Sequence, residues 1–155
     1  MNKDQLEVIK NETTALLADL GAKAEVIADF DPATNVVSLQ IESPEAAFLI
    51  GFHGETLQAL QLILSFVSHK VLGEWVRVNA NVGDYRQKRE EQLQRLAMNL
   101  AMKAKFSGEA QTIPNLTAAE RRIIHLALAD HPDVVSESEG EGQQRVLTIK
   151  PKTSQ

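Results

Sequence analysis

Two short patterns in this chain combine residue types that could hold a phosphate-bearing ligand. The first is Gly51-Phe52-His53-Gly54, set in the run LIGFHGETL. Glycines at both ends remove two Cβ atoms, so the backbone can come close to a sugar–phosphate chain. A helix starting just after Gly54 would turn free N–H groups and the positive end of its dipole toward an anion. Taken alone, the four residues suit an ordinary corner between two helices better than a ligand loop. The second pattern is Arg121-Arg122-Ile123-Ile124-His125, in which Arg121 and His125 stand at i and i+4. On a helix that spacing puts both on one face, where a planar guanidinium and an imidazole can grip one phosphate. Its plain alternative is a charged surface turn.

The surrounding sequence must supply elements that position these patterns. Leu6, Ile9, Thr13, Leu16, Leu17 and Leu20 keep helical spacing over residues 5–20, and Gly21 is a stop. Two β-rich runs, 24–30 and 36–41, flank Asp31-Pro32-Ala33-Thr34-Asn35 and read as a hairpin. Ser43 and Pro44 suit the N-cap and first turn of a short helix over 45–50, which the first glycine pattern interrupts. A longer helix over 55–72 follows, with Leu57, Leu60, Leu64, Val67 and Val71 on one stripe, and then a strand over 75–82. From Asp84 to about Phe106 a charged helix is expected to bury Leu93, Leu96, Leu100 and Ala104 and to join two modules. Thr117-Ala118-Ala119-Glu120 is a capping box for a helix to about Ala129, ahead of strands over 134–136 and 146–150 joined by the Gly140-Glu141-Gly142 tip. The fold class is α+β, in three segments: 1–82, a connecting helix 83–107, and 108–155.

Composition excludes several classes. With 155 residues and 43% hydrophobic content the chain fits one or two small domains, and the absence of Cys rules out disulfides and thiolate metal sites. Sixteen Lys and Arg against 21 Asp and Glu give a net charge of −5, but the charge is uneven. Residues 1–50 hold nine acids and three bases, whereas residues 69–105 hold eight bases and four acids. A basic middle fits a local phosphate-binding face, although mixed-sign charge on a helix is more often plain solvation. The start lacks a basic stretch followed by an apolar run, so no signal peptide is expected, and the run 57–71 is broken by Gln58, Gln61, Ser65, Ser68 and His69. A cytoplasmic protein without a membrane segment is expected. The nucleotide-binding patterns G-x-x-x-x-G-K-[ST] and G-x-G-x-x-G are missing. His125, Asp130, His131 and Asp133 are poorly spaced for a metal, and Ser136 and Ser138 have no evident His base. No cofactor, no metal and no enzymatic activity are expected.

The order helix, hairpin, helix, G-x-x-G, helix, strand is that of a type II KH fold (α-β-β-α-α-β), and LIGFHGETLQALQLILSF resembles the KH core of the bacterial Jag family, also called KhpB. AERRIIHLALADHPDVVSESEGEGQQRVLTIKPK resembles the small α/β R-3-H domain, named for an Arg and a His separated by three residues, and GDYRQKREEQLQRLA resembles the family's linker. The resemblance covers roughly residues 5–150. It implies a KH groove holding a few single-stranded nucleotides, with Ile50 on its wall, Gly51 and Gly54 allowing backbone approach, and Phe52 and His53 at the tip. Backbone N–H groups from Gly54 to Thr56 would oppose phosphate. In the second module it implies contacts from Arg121 and His125, supported by Arg122 and Arg145. The implied partners are single-stranded RNA, with single-stranded DNA as a variant, and a small single-KH (KhpA-like) protein or the membrane-insertion machinery. The implied role is regulation around bacterial cell elongation and division; homo-oligomers are compatible with it. Three departures stand out. Phe52-His53 replaces the Lys or Arg common between KH glycines and is followed by acidic Glu55, residues 112–116 are poorer in Pro and Met than in the family, and no counterpart of the extra N-terminal Jag domain is expected. An interaction module rather than an RNA clamp is the alternative that the acidic first 50 residues support.

Overall fold

The computed structural model of the chain describes residues 1–152; residues 153–155, the end of the expected 108–155 segment, lie outside the described residues. The chain divides into two compact units, Met1–Arg86 and Gln87–Gln155.

In the first unit the order is α1 (Lys3–Asp19), β1 (Glu25–Asp31), β2 (Val36–Glu42), α2 (Ala46–Ile50), α3 (Glu55–Leu72) and β3 (Arg77–Val82). This is the α-β-β-α-α-β order expected. α1 starts earlier than its apolar spacing indicates because Asn2 and Gln5 form a reciprocal capping box, at 2.8 and 2.9 Å. The hairpin turn is held by Asp31, whose carboxylate accepts from the Thr34 hydroxyl at 2.7 Å and the Ala33 N–H at 2.9 Å; these bonds, Thr34's first, hold its carboxyl below the ordinary value. β1 pairs antiparallel with β2, and β2 pairs parallel with β3. β3 begins at Arg77 rather than at residue 75, because β2 offers a partner only from Val36, which faces Arg77. Trp75, left outside the ladder, stacks on His69 with ring centroids 4.1 Å apart. Ser43 is not the N-cap of α2. Glu45 holds that place, while the Ser43 hydroxyl donates to the Lys23 carbonyl at 2.6 Å and accepts the Glu45 N–H at 3.1 Å, tying the end of β2 to the start of β1. On α3, Leu57, Leu60 and Leu64 are buried as the stripe requires, and the next buried position is Ser68, with Val67 half-buried. Ile9, Leu17, Leu39, Ile41, Leu49 and Leu64 fill the core.

The second unit carries most of α4 (Tyr85–Ser107), then β4 (Gln111–Ile113), α5 (Ala118–Leu128), β5 (Val134–Glu139) and β6 (Val146–Pro151). Its sheet runs β4-β6-β5, antiparallel throughout. β4 is absent from the sequence expectation because three residues are too short a run to show an alternation. α4 is more than a connector. Leu93, Ala97, Ala101 and Ala104 lie in the core of this unit, with Ile113, Ile124, Leu147 and Ile149. The division of the chain at 86/87, instead of at 82/83 and 107/108, follows from that packing. The buried stripe also differs from the expected one: Leu96 is 38% exposed and Leu100 only partly packed. Alanines at 97, 101 and 104 let neighbouring elements approach the helix closely; Leu93 stays in the core, and Leu96 and Leu100 are turned aside. Among the described residues no helix is long and apolar enough to cross a membrane.

Candidate nucleic-acid interface

The glycine loop of the first unit is a single 3-10 turn, Phe52–Gly54, between α2 and α3. Gly51 ends α2 with φ 70° and ψ −170°, and Gly54 opens α3 with φ 85° and ψ 12°. Both lie on the positive-φ side that L side chains avoid. A Cβ on Gly54 would stand 2.7 Å from the Tyr85 hydroxyl, so the loop lies directly against the start of α4. Phe52, 71% exposed, and His53 project together, with ring centroids 4.1 Å apart and planes at 61°. No side chain caps α3. Its N-terminus is therefore left to backbone N–H groups around Glu55 and Thr56, both exposed, while Ile50 is half-buried behind them. An apolar tip, an uncapped helix end and one acidic neighbour make a surface for close backbone and stacking contact, not a strongly cationic one.

In the second unit, Thr117 and Glu120 start α5 with a complete capping box, at 3.2 and 2.9 Å. This fixes the phase of the helix, and Arg121 and His125 fall on one face, one turn apart. β5 crosses that face. Strand alternation sends Ser136 and Ser138 to one side and Glu137 and Glu139 to the other, where Lys150 pairs with both acids. Ser136 lies 2.7 Å from His125 Nδ1 and Ser138 lies 2.9 Å from Nε2. Nothing in the sequence marks this contact, since eleven residues separate His125 from Ser136 and no spacing rule links a helix to a strand across a loop. The imidazole is therefore a strut between α5 and β5, with both nitrogens engaged. The arrangement lacks the carboxylate that orients a catalytic His, because the nitrogen opposite each hydroxyl is bonded to the other.

Arg121 donates from Nη1 to the Leu116 carbonyl at 2.6 Å, leaving Nε and Nη2. Arg122 and Arg145 are exposed, and neither guanidinium has an ion pair or hydrogen bond among the described residues. Arg121, Arg122, His125, Leu126, Ser138 and Arg145 line one open depression of about 370 Å³. Three guanidinium groups thus line one depression beside two apolar side chains, Ala118 and Leu126, and among the described residues their one hydrogen-bond acceptor is the Leu116 carbonyl. His125→Ala is expected to lower the stability of this unit by about 1–2 kcal/mol, the cost of two lost hydrogen bonds and the groups left unpaired. Arg122→Ala should change it by less than about 0.5 kcal/mol. Urea titrations followed by far-ultraviolet circular dichroism separate the two, and equal effects would mean that the imidazole is not a strut.

This geometry defines an α+β chain whose second unit presents an Arg-x-x-x-His helix face, and residues 91–151 match the R-3-H domain family. The match begins within α4, in agreement with the packing of that helix. Over the length of the chain, relatives bearing the name RNA-binding protein KhpB are found in several bacteria. That of Clostridium symbiosum is 31% identical over 128 residues, covering 83% of this chain and 58% of the relative. That of Streptococcus pneumoniae is 30% identical over 134 residues, covering 86% and 40%. That of Bacillus subtilis is 30% identical over 154 residues, covering 96% and 72%. The chain belongs to the KhpB family, also called Jag. It spans about half the length of the first two of these relatives.

Proposed function

We propose that this chain binds single-stranded RNA without catalysing a reaction, through the GFHG loop of the first unit and the Arg121, Arg122 and Arg145 face of the second. The observation that carries the reading is the gathering of three guanidiniums around one open depression with one backbone carbonyl as their only protein acceptor among the described residues. In water such a cluster repels itself, and a phosphate chain relieves the repulsion. The names of the relatives support the same ligand. Gly51, Gly54 and the N–H groups up to Thr56 hold the backbone of a short strand, Phe52 offers a ring for a base, and His53 and Ile50 flank it. The first unit, with its KH-like order, and the second unit then act as two weak sites on one chain. Each raises the effective concentration of the other wherever one strand reaches both. The setting is cytoplasmic regulation of RNA linked to cell elongation and division.

Fluorescence anisotropy with a short single-stranded RNA tests this. Wild type is expected to bind with a log–log salt slope of about −0.7 per phosphate contacted. Phe52→Asp/His53→Asp and Arg121→Ala/Arg122→Ala are each expected to weaken binding at least about tenfold while remaining folded, since a charge-assisted contact contributes about 1.5–3 kcal/mol. Wild-type binding without salt dependence, or folded variants that bind like wild type, would place the interface elsewhere.

A second reading rests on one observation. Leu62, Ile63 and Phe66 are exposed on α3, and Trp75 lies against Phe66, with ring centroids 5.4 Å apart. In this reading the first unit docks on protein, either a small single-KH protein, another copy of the chain or the membrane-insertion machinery. Such docking should survive Phe52→Asp/His53→Asp and fail with Phe66→Asp, as read by co-purification with the candidate protein.

A further inference from the structure

The loop of the first unit has no permanent cation between its glycines, yet the same unit holds a guanidinium without a carboxylate at the edge of β3. Arg86 is the second residue of α4 and follows Tyr85, whose hydroxyl lies against Gly54. Its Nε and Nη2 donate to the Ala80 carbonyl at 3.0 and 2.8 Å, and Nη2 also donates to Gln61 Oε1 at 2.8 Å. The same Gln61 oxygen accepts the Ala80 N–H at 3.2 Å. β3 is an outer strand of its sheet, so the N–H and C=O of Ala80 point away from β2 along the free edge. Three consequences follow. The edge at Ala80 is already satisfied, and a ligand meets side-chain donors there in place of a bare peptide. The guanidinium is fixed by three bonds and needs little further ordering. Its Nη1 has no partner among the described residues, and no carboxylate neutralises it, although the side chain is exposed. Burial of the stem lowers its pKa from the ordinary value, and arginine nevertheless stays charged at any biological pH.

We infer that Arg86 is the phosphate contact of the first unit, its Nη1 taking a phosphate oxygen of the strand held at the GFHG loop. The inference rests on the RNA reading above. Gln61 is seven residues beyond Gly54, about 10 Å along α3 at 1.5 Å per residue. A KH groove clamps about four nucleotides, so a strand that begins at the loop and follows α3 passes the guanidinium. Nε and Nη2 are spent on Ala80 and Gln61, so no fork is left for the two-pronged reading of a base edge. What remains is a fixed charge that supports any sequence equally and replaces the cation missing between the glycines.

The test uses the full chain and a set of short single-stranded RNAs of different sequence, read by fluorescence anisotropy from low to moderate salt. Arg86→Gln is expected to weaken binding about tenfold for every sequence and to reduce the salt slope by about 0.7, one phosphate contact. Arg86→Lys should keep most of the slope. Because Arg86 also braces β3, Gln61→Glu is the second variant. A carboxylate still accepts from Ala80 and Arg86, so the fold is preserved, while its charge cancels that of the guanidinium; RNA binding should weaken with the melting temperature maintained. Wild-type binding with an unchanged slope in Arg86→Gln overturns the inference alone. A loss in Arg86→Gln that accompanies unfolding, with Gln61→Glu binding like wild type, reduces Arg86 to a brace and overturns it too. A loss confined to one sequence makes Arg86 a base reader and overturns it as well. If wild type binds none of the RNAs, the RNA reading falls, and this inference with it.

Discussion

Replacing Arg89 by alanine is expected to destabilise the second unit by about 3 kcal/mol. Arg89 Nε meets Glu120 Oε1 at 2.7 Å, and the two side chains are only 16% and 11% exposed. Glu120 has a second duty. Its other oxygen accepts the Thr117 N–H, while its own N–H donates to the Thr117 hydroxyl, so the carboxylate that anchors α4 is also the capping residue of α5. Truncating Arg89 leaves that charge largely buried, with one backbone N–H as its partner. A solvent-exposed pair would cost about 0–1 kcal/mol, because water replaces the missing partner. The burial here decides for the larger figure. Denaturation by urea, followed by far-ultraviolet circular dichroism, reads the loss, while fluorescence of Trp75, the chain's single tryptophan, follows the first unit and should keep its midpoint. Arg89→Met/Glu120→Gln should recover most of the stability, since glutamine still closes the capping box and methionine fills the space without a charge. A change below about 0.5 kcal/mol in Arg89→Ala would mean that water reaches the pair freely.

That ion pair also shows where sequence reasoning reached and where it stopped. The Thr117–Glu120 box was legible, because a capping signal is local and its two bonds span three residues. The partner of Glu120 was not. Arg89 lies 31 residues away, and it sits among the bases of α4, where any of several could have been the one turned inward. The same limit explains α4 itself. Helical spacing from Leu93 put Leu96 and Leu100 toward the core, but a helix packed tightly on its neighbours selects small residues, and Ala97 and Ala101 take those places. The glycine loop and its flanking elements were readable from order alone, since Gly51 and Gly54 interrupt two runs of helical spacing. The phase of α5 likewise put Arg121 and His125 on one face. What the strand would bring to that face was not readable: Ser136 and Ser138 reach His125 only because β5 folds back across α5, a tertiary fact that leaves no periodic trace. Arg86 was hidden for a related reason, as its partners are a backbone carbonyl and an amide, neither of which marks a sequence.

Gly51→Ala is expected to destabilise the first unit by about 2–4 kcal/mol and to abolish the RNA binding proposed for the loop. Two separate costs add. At φ 70° and ψ −170° an alanine occupies a region open in practice to glycine alone, a strain of about 1–3 kcal/mol. Its Cβ would also stand 2.0 Å from Thr56 Oγ1, 2.7 Å from Thr56 Cβ and 3.0 Å from the Thr56 nitrogen. A rotation of the hydroxyl relieves the first of these contacts, but the other two can be relieved only by moving the start of α3. Overpacking of that kind costs about 1–3 kcal/mol. Gly21→Ala is the reference for an alanine at positive φ without a steric clash, because Gly21 has φ 83° and nothing within 4 Å of its added Cβ. It should lose only about 1 kcal/mol. Thr56→Gly in the Gly51→Ala background should recover part of the difference by removing the Cβ and Oγ1 contacts while leaving the strain. Trp75 fluorescence during urea unfolding measures all three variants in the unit concerned. If Gly51→Ala and Gly21→Ala cost the same, Thr56 yields without resistance. The loop is then soft, and its glycines serve the approach of a ligand rather than the packing of Thr56 against the end of α2.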